Sequence, residues 1–236
     1  MIFITGDTHG ERARIDRIQR EAHVSKGDYL IICGDFGYIF RNNEDEMRFL
    51  DSLEEKDFTI CFLDGNHENF PAIDSYPLES WNGGQIHRVR KNILHLMRGE
   101  IYTIEGHSFF VMGGAYSIDR PLRTLNVSYW DEELPNSSEY KNASENLKRH
   151  GMKVDYILTH TAPSFITRYF RNRFNTLGGE LESFLEWIAC EVEFREWFFG
   201  HWHFDKKLDG KYRALWFDVI QIPEVDLDTV GESHEL

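Results

Sequence analysis

Five short segments of the sequence carry side chains that can bind metal ions, and each segment follows an apolar run. The segments are GDTHG, GDFG, DGNHE, THT and GHWH, and their candidate residues are Asp7, His9, Asp35, Asn66, His67, His160, His201 and His203. Carboxylate oxygens and neutral imidazoles suit Mn, Fe and Zn, whereas sites made only of oxygen ligands suit Mg and Ca. We therefore expect a site for divalent transition metals.

The same set of residue types indicates what such a site would do. It contains no cysteine, which argues against a structural zinc site. An aspartate can bridge two cations through its two oxygens. Two cations about 3.5–4 Å apart can hold both the attacking and the leaving oxygens of a phosphoryl displacement. Each segment alone is weak evidence, because an aspartate before a turn often only caps a helix, but all five together favour a site.

The elements that must position these residues are short strands alternating with helices. Apolar runs predict strands at residues 2–5, 29–33, 59–63, 101–104, 108–112, 155–159, 196–199 and 214–217. Apolar spacing predicts helices at residues 11–23, 44–55, 137–150 and 180–190. Strand–helix–strand alternation through residue 63 indicates parallel pairing, and residues 93–114 indicate a hairpin. The chain is therefore α/β, with a mixed sheet or two sheets, and ligands bind outside the carboxyl ends of such strands.

Composition restricts the partners. The chain has 236 residues, of which 41% are hydrophobic, so it can bury a large core and is not a disordered chain. Its net charge of −14 disfavours nucleic acid and anionic membranes as partners. A small phosphorylated substrate remains compatible with that charge where bound metal supplies positive charge.

Compartment and cysteine usage give further expectations. Of the three cysteines, Cys33 and Cys61 lie in apolar runs and are expected to be buried, and the odd count argues against a disulfide framework. No apolar run reaches the roughly 20 residues of a membrane span. The N-terminus has no basic segment of the kind that a signal peptide carries. We expect a cytoplasmic protein.

The ordered motifs DTH, GDFG, GNHE, TH and GHWH, spread over residues 7–203, resemble those of the calcineurin-like metallophosphoesterases. The resemblance implies a four-layer αββα sandwich, in which two mixed sheets are flanked by helices, over a domain of residues 1–222. Residues 223–236 carry five acidic residues and no Lys or Arg, and we expect them to form a solvated tail. The resemblance also implies a dinuclear metal centre at the carboxyl edge of the sheets.

The resemblance assigns roles to individual residues. It implies that one metal is held by Asp7, His9, Asp35 and His203, and the other by Asp35, Asn66, His160 and His201. Asp35 would bridge the two metals together with a hydroxide. His67 would bind no metal but would stand beside the leaving group, where an imidazole can donate a proton near pH 7. Mn is the expected metal, with Fe or Zn as possibilities.

The resemblance does not choose the substrate. Protein phosphatases of this family carry Asp-Arg-Gly after their GD motif, but here the run is GDFGYIFRN, and Arg41 is not in register. We therefore expect no protein phosphatase activity. The leading hypothesis is hydrolysis of phosphomonoesters or phosphodiesters of small molecules. The alternatives are a nuclease and, at lower weight, a non-catalytic metal-binding scaffold.

One basic segment is a candidate for substrate recognition. Residues 166–176, ITRYFRNRFNT, contain Arg168, Arg171 and Arg173 and no acid, and they follow His160 closely. Guanidinium groups offer paired donors to phosphate. We hypothesise that this segment is a lid or wall of the site, with a solvated loop or a subunit contact as the alternatives. The histidines outside the motifs are expected at the surface; these are His23, His87, His95, His107, His150 and His234.

Overall fold

The structure, a computed structural model, describes residues 1–170 and 179–224. Its strands are β1 (Ile2–Thr5), β2 (Tyr29–Cys33), β3 (Thr59–Leu63), β4 (Leu78–Trp81), β5 (Gly84–Arg90), β6 (Ile93–Leu96), β7 (Ile101–Ile104), β8 (His107–Met112), β9 (Tyr156–Thr159), β10 (Glu196–Phe199), β11 (Lys206–Leu208), β12 (Tyr212–Ala214) and β13 (Val219–Ile222). Its α-helices are α1 (Arg12–Ala22), α2 (Glu44–Glu54), α3 (Phe70–Asp74), α4 (Ser137–Arg149), α5 (Ser164–Thr167) and α6 (Glu180–Glu191). The expected tail lies outside the described residues, apart from Pro223 and Glu224.

The described strands form two mixed sheets. The first has the order β13-β1-β2-β3-β6-β5-β4, and the second has the order β11-β12-β10-β9-β8-β7. Strands β1, β2, β3 and β6 run parallel to one another, whereas β13 is antiparallel to β1. In the second sheet β8, β9, β10 and β12 are parallel. The α/β class and the two mixed sheets are as the sequence predicts.

The core divides into three apolar layers. One cluster joins both sheets, because it contains Ile4 and Ile31 of the first sheet with Phe109 and Phe198 of the second. The alternate residues of β1 and β2 face outwards, where α1 and α2 cover them. Helices α4 and α6 cover the other sheet in the same way. Because successive side chains of a strand point to opposite faces, each central strand contributes to two layers, and the result is the predicted αββα sandwich.

Several predicted boundaries were wrong. The strand predicted at residues 214–217 ends at Ala214, and the predicted hairpin at 93–114 is only β7 and β8, since β6 pairs with β3 in the other sheet. Strands β4 and β5 were not predicted, because charged and polar residues interrupt their apolar positions. The burial of Cys33 and Cys61 is confirmed.

The surface prediction for three histidines was also wrong. His87, His95 and His107 are all buried. His87 of β5 lies opposite His95 of β6, and their rings stack with a centroid distance of 5.4 Å. His107 is held by the carbonyl oxygen of Pro223, 2.8 Å from its Nε2. These contacts depend on strand pairing and on chain segments distant in sequence, so no local pattern reveals them. His234 lies outside the described residues.

Candidate active site

Five parallel strand ends deliver the candidate residues to one edge of the sandwich. Asp7 follows β1, Asp35 follows β2 and Asn66 follows β3, all in the first sheet. His160 follows β9, and the pair His201 and His203 follows β10, both in the second sheet. Since the carboxyl ends of parallel strands meet at the same edge, and the two sheets pack face to face, segments far apart in sequence converge there.

The backbone at this edge is unusual. His9, Asp35, His201 and His203 all have positive φ angles, of 47°, 49°, 67° and 50°. Left-handed backbone is uncommon for residues other than glycine, and such residues concentrate at functional sites, where the surrounding structure enforces the conformation. Gly34 is required for a different reason, because a Cβ at this position would overlap the His160 ring. The backbone conformation of these turns therefore directs the candidate side chains towards the site.

The first group of donor atoms lies at the rim of the site. His203 Nε2 is 3.4 Å from Asp7 Oδ2, and the Nε2 atoms of His203 and His9 are 2.9 Å apart. The backbone N–H of His201 donates a bifurcated hydrogen bond to both oxygens of the Asp7 carboxylate, each 3.0 Å away, which fixes the orientation of the carboxylate. Asp7 is 2% exposed whereas His203 is exposed, so this group has a buried carboxylate and a face open to solvent.

The second group lies deeper. His160 is completely buried, and its Nε2 is 3.3 Å from Asp35 Oδ1 and 3.1 Å from Asn66 Oδ1. Its Nδ1 donates to the carbonyl oxygen of Cys33 at 2.9 Å, which leaves Nε2 as the nitrogen that faces the site. The His201 ring lies 5.0 Å from the His160 ring. Asp35 also approaches the first group, since its Oδ2 is 3.8 Å from His9 Nδ1.

Burial and mutual charge dominate the protonation of these groups in the protein without cations. Burial, reinforced by the neighbouring charge of Asp35, raises the pKa of Asp7 to about 7. Burial alone would raise the pKa of Asp35, but the charge of His160 and its hydrogen bond outweigh burial and hold that pKa below its usual value. The same carboxylate outweighs the effect of burial on His160 and raises its pKa to about 10. Burial lowers the pKa of His201 to about 3.

The donor set fits divalent cations. Ligand atoms of Asp7, His9 and His203 lie within 4.8 Å of one another, and so do those of Asp7, Asp35 and His160. A zinc-like cation bonds to such atoms at about 2.0–2.2 Å, so one ion can bridge donors at this spacing. Asp7 belongs to both groups, and the division of the candidate ligands between two cation positions stays a prediction. The structure thus brings together all seven residues that the sequence suggests as ligands.

His67 lies beside this set and not within it. Its ring is 5.5 Å from the His9 ring, and its backbone N–H donates to Asp35 Oδ1 at 2.8 Å. The guanidinium of Arg123 contacts the His67 ring, with Nη1 2.9 Å from Nδ1 and Nη2 3.1 Å from Nε2. Burial, with a smaller contribution from the Arg123 charge, lowers the pKa of His67. Arg123 is not among the residues predicted from the sequence.

Buried acids support the loops that carry the candidate ligands. The Glu68 carboxylate accepts from the backbone N–H of Phe36 at 2.6 Å and holds the turn after Asp35. Burial, reinforced by the charge of Asp35, raises the pKa of Glu68 well above its ordinary value. Asp64, which starts the DGNHE segment, accepts from Arg98 Nε at 2.8 Å and lies 3.3 Å from His95 Nε2, so its carboxylate is engaged by these two side chains.

Asn66 is oriented by two further residues, Ser117 and Glu133, which were not predicted from the sequence. Its Nδ2 donates to Ser117 Oγ at 2.9 Å, and Ser117 Oγ donates to the buried Glu133 carboxylate at 2.8 Å. Because the Asn66 amide donates on that side, its Oδ1 faces His160. Nothing local in the sequence marks Ser117 or Glu133, since their role depends on a loop that folds back across the site.

The predicted basic segment is only partly within the described residues. Arg168 is exposed, and its guanidinium contacts Ser164 Oγ at 3.4 Å. Phe170 packs against Trp202 and Phe204, which flank His203. The beginning of the segment therefore lies against the loop that carries His201 and His203. Arg171 and Arg173 lie outside the described residues, and the substrate-binding role of all three arginines stays a prediction.

A cleft of about 410 Å³ opens from the site. Its inner end is formed by His9 and His67, and its walls include Phe40, Phe49, Arg41 and Glu46. Clefts of this size are typical of small-molecule sites. A group attached to a phosphate at the centre has room here, next to His67.

Two packed mixed sheets with carboxylates and imidazoles converging at their shared edge define a metal-dependent hydrolase of the α/β class. The family model described as calcineurin-like phosphoesterase matches residues 1–205, and the chain belongs to this family. It is therefore a metallophosphoesterase, a hydrolase of phosphoric esters.

Other comparisons add little to this assignment. No curated protein sequence matches the chain. Among solved structures, the phosphopantetheinyl hydrolase of Mycobacterium tuberculosis aligns over 92% of this chain and 89% of its own length, with 14% identity and a TM-score of 0.44. Within the described part of the chain, none of the helices has the length and apolarity needed to cross a bilayer.

Proposed function

We propose that this phosphoesterase hydrolyses monoesters or diesters of small phosphorylated molecules at a dinuclear centre. The observation that carries the proposal is the convergence of seven donor side chains beside a cleft that begins at His67. Two cations held there would supply positive charge for the phosphoryl oxygens and hydroxide near neutral pH. Mn is the proposed metal, with Fe or Zn as alternatives, since the donor set mixes imidazole and carboxylate.

The chain's own residues supply the remaining parts of the reaction. Asp35 would serve both cations, because its two carboxylate oxygens approach His160 on one side and His9 on the other. The cleft receives the alcohol part of the ester. His67 lies at the junction between the centre and the cleft, where an imidazole can give a proton to the departing oxygen.

A small substrate is favoured over nucleic acid. A nucleic-acid strand needs a track of cations for its phosphates. Here the cleft wall carries Glu46 and Asp45 as well as Arg41, and Arg12 is paired with Asp45. The net charge of −14 points the same way. A scaffold role is not favoured either, because a scaffold has no use for His67.

The proposal is tested with a substrate panel after removal and replacement of metal. Chelated protein is expected to be inactive. Mn, Fe or Zn should restore hydrolysis of p-nitrophenyl phosphate or bis-p-nitrophenyl phosphate better than Ca, with Mg included for comparison. Cyclic nucleotides and short oligonucleotides complete the panel. Full activity without metal would contradict the metal requirement, and preferential cleavage of the oligonucleotide would favour the nuclease.

A further inference from the structure

The loop between β8 and α4 places an arginine at the site. Two of its residues contact the centre: Ser117 accepts a hydrogen bond from Asn66, and Arg123 lies against the ring of His67. Arg123 is 56 residues from His67 in the chain, so this contact is made only by the tertiary fold. A guanidinium group beside a phosphoesterase centre can donate charge-assisted hydrogen bonds to phosphoryl oxygens.

The loop is firmly anchored at this position. The buried Glu133 carboxylate accepts from the Ser117 backbone N–H at 2.8 Å and from Arg120 Nε at 2.6 Å. Arg123 is itself held by Asp119, with Nη2 2.8 Å from the carboxylate, and by the carbonyl oxygen of Ser128 at 3.0 Å. The Arg123 side chain is 15% exposed. The Arg123 side chain is therefore held in one position by protein contacts and is largely shielded from solvent.

The contact with His67 leaves hydrogen-bonding capacity unused. Both terminal nitrogens of Arg123 face ring nitrogens of His67, but a neutral imidazole has only one acceptor nitrogen and a protonated imidazole has none. At least one of these two N–H groups therefore finds no acceptor on the ring it faces. A phosphoryl group offers several acceptor oxygens and can satisfy both donors at once.

We infer that Arg123 binds a phosphoryl oxygen of the substrate, an inference that rests on the proposed function. When the substrate enters, its oxygens replace the imidazole as the acceptors of the guanidinium. Asp119 and Ser128 keep the guanidinium in place during this exchange. His67 is then released from Arg123 and can face the leaving oxygen. One contact thus links phosphate binding to the availability of the proton donor.

Other arginines near the site are poorer candidates. The Arg168 guanidinium contacts Ser164 of its own helix, and Arg41 stands in the cleft wall on the leaving-group side. Among the arginines in the described part of the chain, Arg123 alone contacts His67 through its guanidinium. Its position also differs from that of the basic segment suggested by the sequence.

The test measures phosphate binding and turnover in Mn-loaded protein. Binding of inorganic phosphate is measured by calorimetry, and KM and kcat are measured with p-nitrophenyl phosphate. R123A is expected to weaken phosphate binding and to raise KM by about ten- to a hundredfold, the range for a charge-assisted hydrogen bond, with unchanged metal content. R123K should recover part of the loss, because lysine keeps the charge but not the paired donors.

Two further variants separate this role from structural effects. R195A removes an exposed arginine at the opposite end of β10 and should leave both measurements unchanged. S117A should instead lower the affinity of the protein for the metal by about 10–100-fold, as is typical when the hydrogen-bond partner of a metal ligand is lost. At saturating metal, S117A should bind phosphate as tightly as wild type. If R123A does not fold, R123Q provides the same readout.

The inference is overturned if R123A or R123Q binds phosphate as tightly as wild type, or if metal-loaded wild type binds no phosphate. Failure of the proposed function looks different. In that case metal-loaded wild type hydrolyses no ester of the panel, yet R123A still reduces phosphate binding, and the role of Arg123 as a phosphate-binding residue stands.

Discussion

Replacing Asp35 with asparagine is expected to cause the largest loss of metal and activity of any single change at this site. Asp35 is 1% exposed, and its two oxygens approach His9 and His160, which belong to the two proposed cation positions. Loss of a residue that merely supports a ligand typically costs about 10–100-fold in metal affinity or activity, so loss of the shared ligand should cost more than about a hundredfold. Metal content and kcat, measured on the same samples, check this expectation.

A matched control for D35N exists in the same chain. Asp209 is an exposed aspartate with a φ of 45°, close to the 49° of Asp35, and it lies in the turn before β12 at the opposite edge of the sheet. D209N makes the same chemical change in the same backbone conformation, and it should leave metal content and activity unaltered. A D35N protein with two bound metals and normal turnover would show that Asp35 is not the shared ligand.

The second large effect is expected from His67→Ala, which should lower kcat while metal content stays the same. His67 is outside the donor set, and a positioned proton donor typically contributes about 10²–10⁴-fold. The loss should be greatest for alkyl phosphates, whose leaving oxygen must be protonated, and smallest for nitrophenyl esters. Wild-type kcat for an alkyl ester should fall as the pH rises through the pKa of the donor, and H67A should lack this decrease.

The leaving-group series makes this prediction specific. H150A removes an exposed histidine at the C-terminus of α4 and provides the control for loss of an imidazole elsewhere. Equal losses for good and poor leaving groups in H67A would argue that His67 stabilises charge without donating a proton. A loss of bound metal in H67A would instead make it a ligand.

The central strands and the candidate ligands could be predicted from the sequence because both leave local signals. Strands β1, β2 and β3 are buried on both faces and therefore read as continuous apolar runs. Each ends in a short polar segment, and the carboxyl ends of parallel strands share an edge. Chain order alone thus predicts that Asp7, Asp35 and Asn66 meet.

Features that depend on contacts between distant segments could not be predicted. The burial of His87 and His95 follows from the register between β5 and β6, which no short pattern encodes. The loop that carries Ser117 and Arg123 reads as a polar connection with scattered arginines. Its function arises only when buried Glu133 fixes the loop against Asn66 and His67. The left-handed backbone of His9 and Asp35 likewise cannot be predicted from the sequence.

A metal titration of metal-free protein tests whether these side chains hold a dinuclear centre. Bound metal per chain is measured by elemental analysis while hydrolysis of bis-p-nitrophenyl phosphate and p-nitrophenyl phosphate is followed. We expect binding to saturate at two transition-metal ions per chain and full activity to require the second ion. Full activity in metal-free protein, or saturation of both binding and activity at one ion, would contradict this expectation.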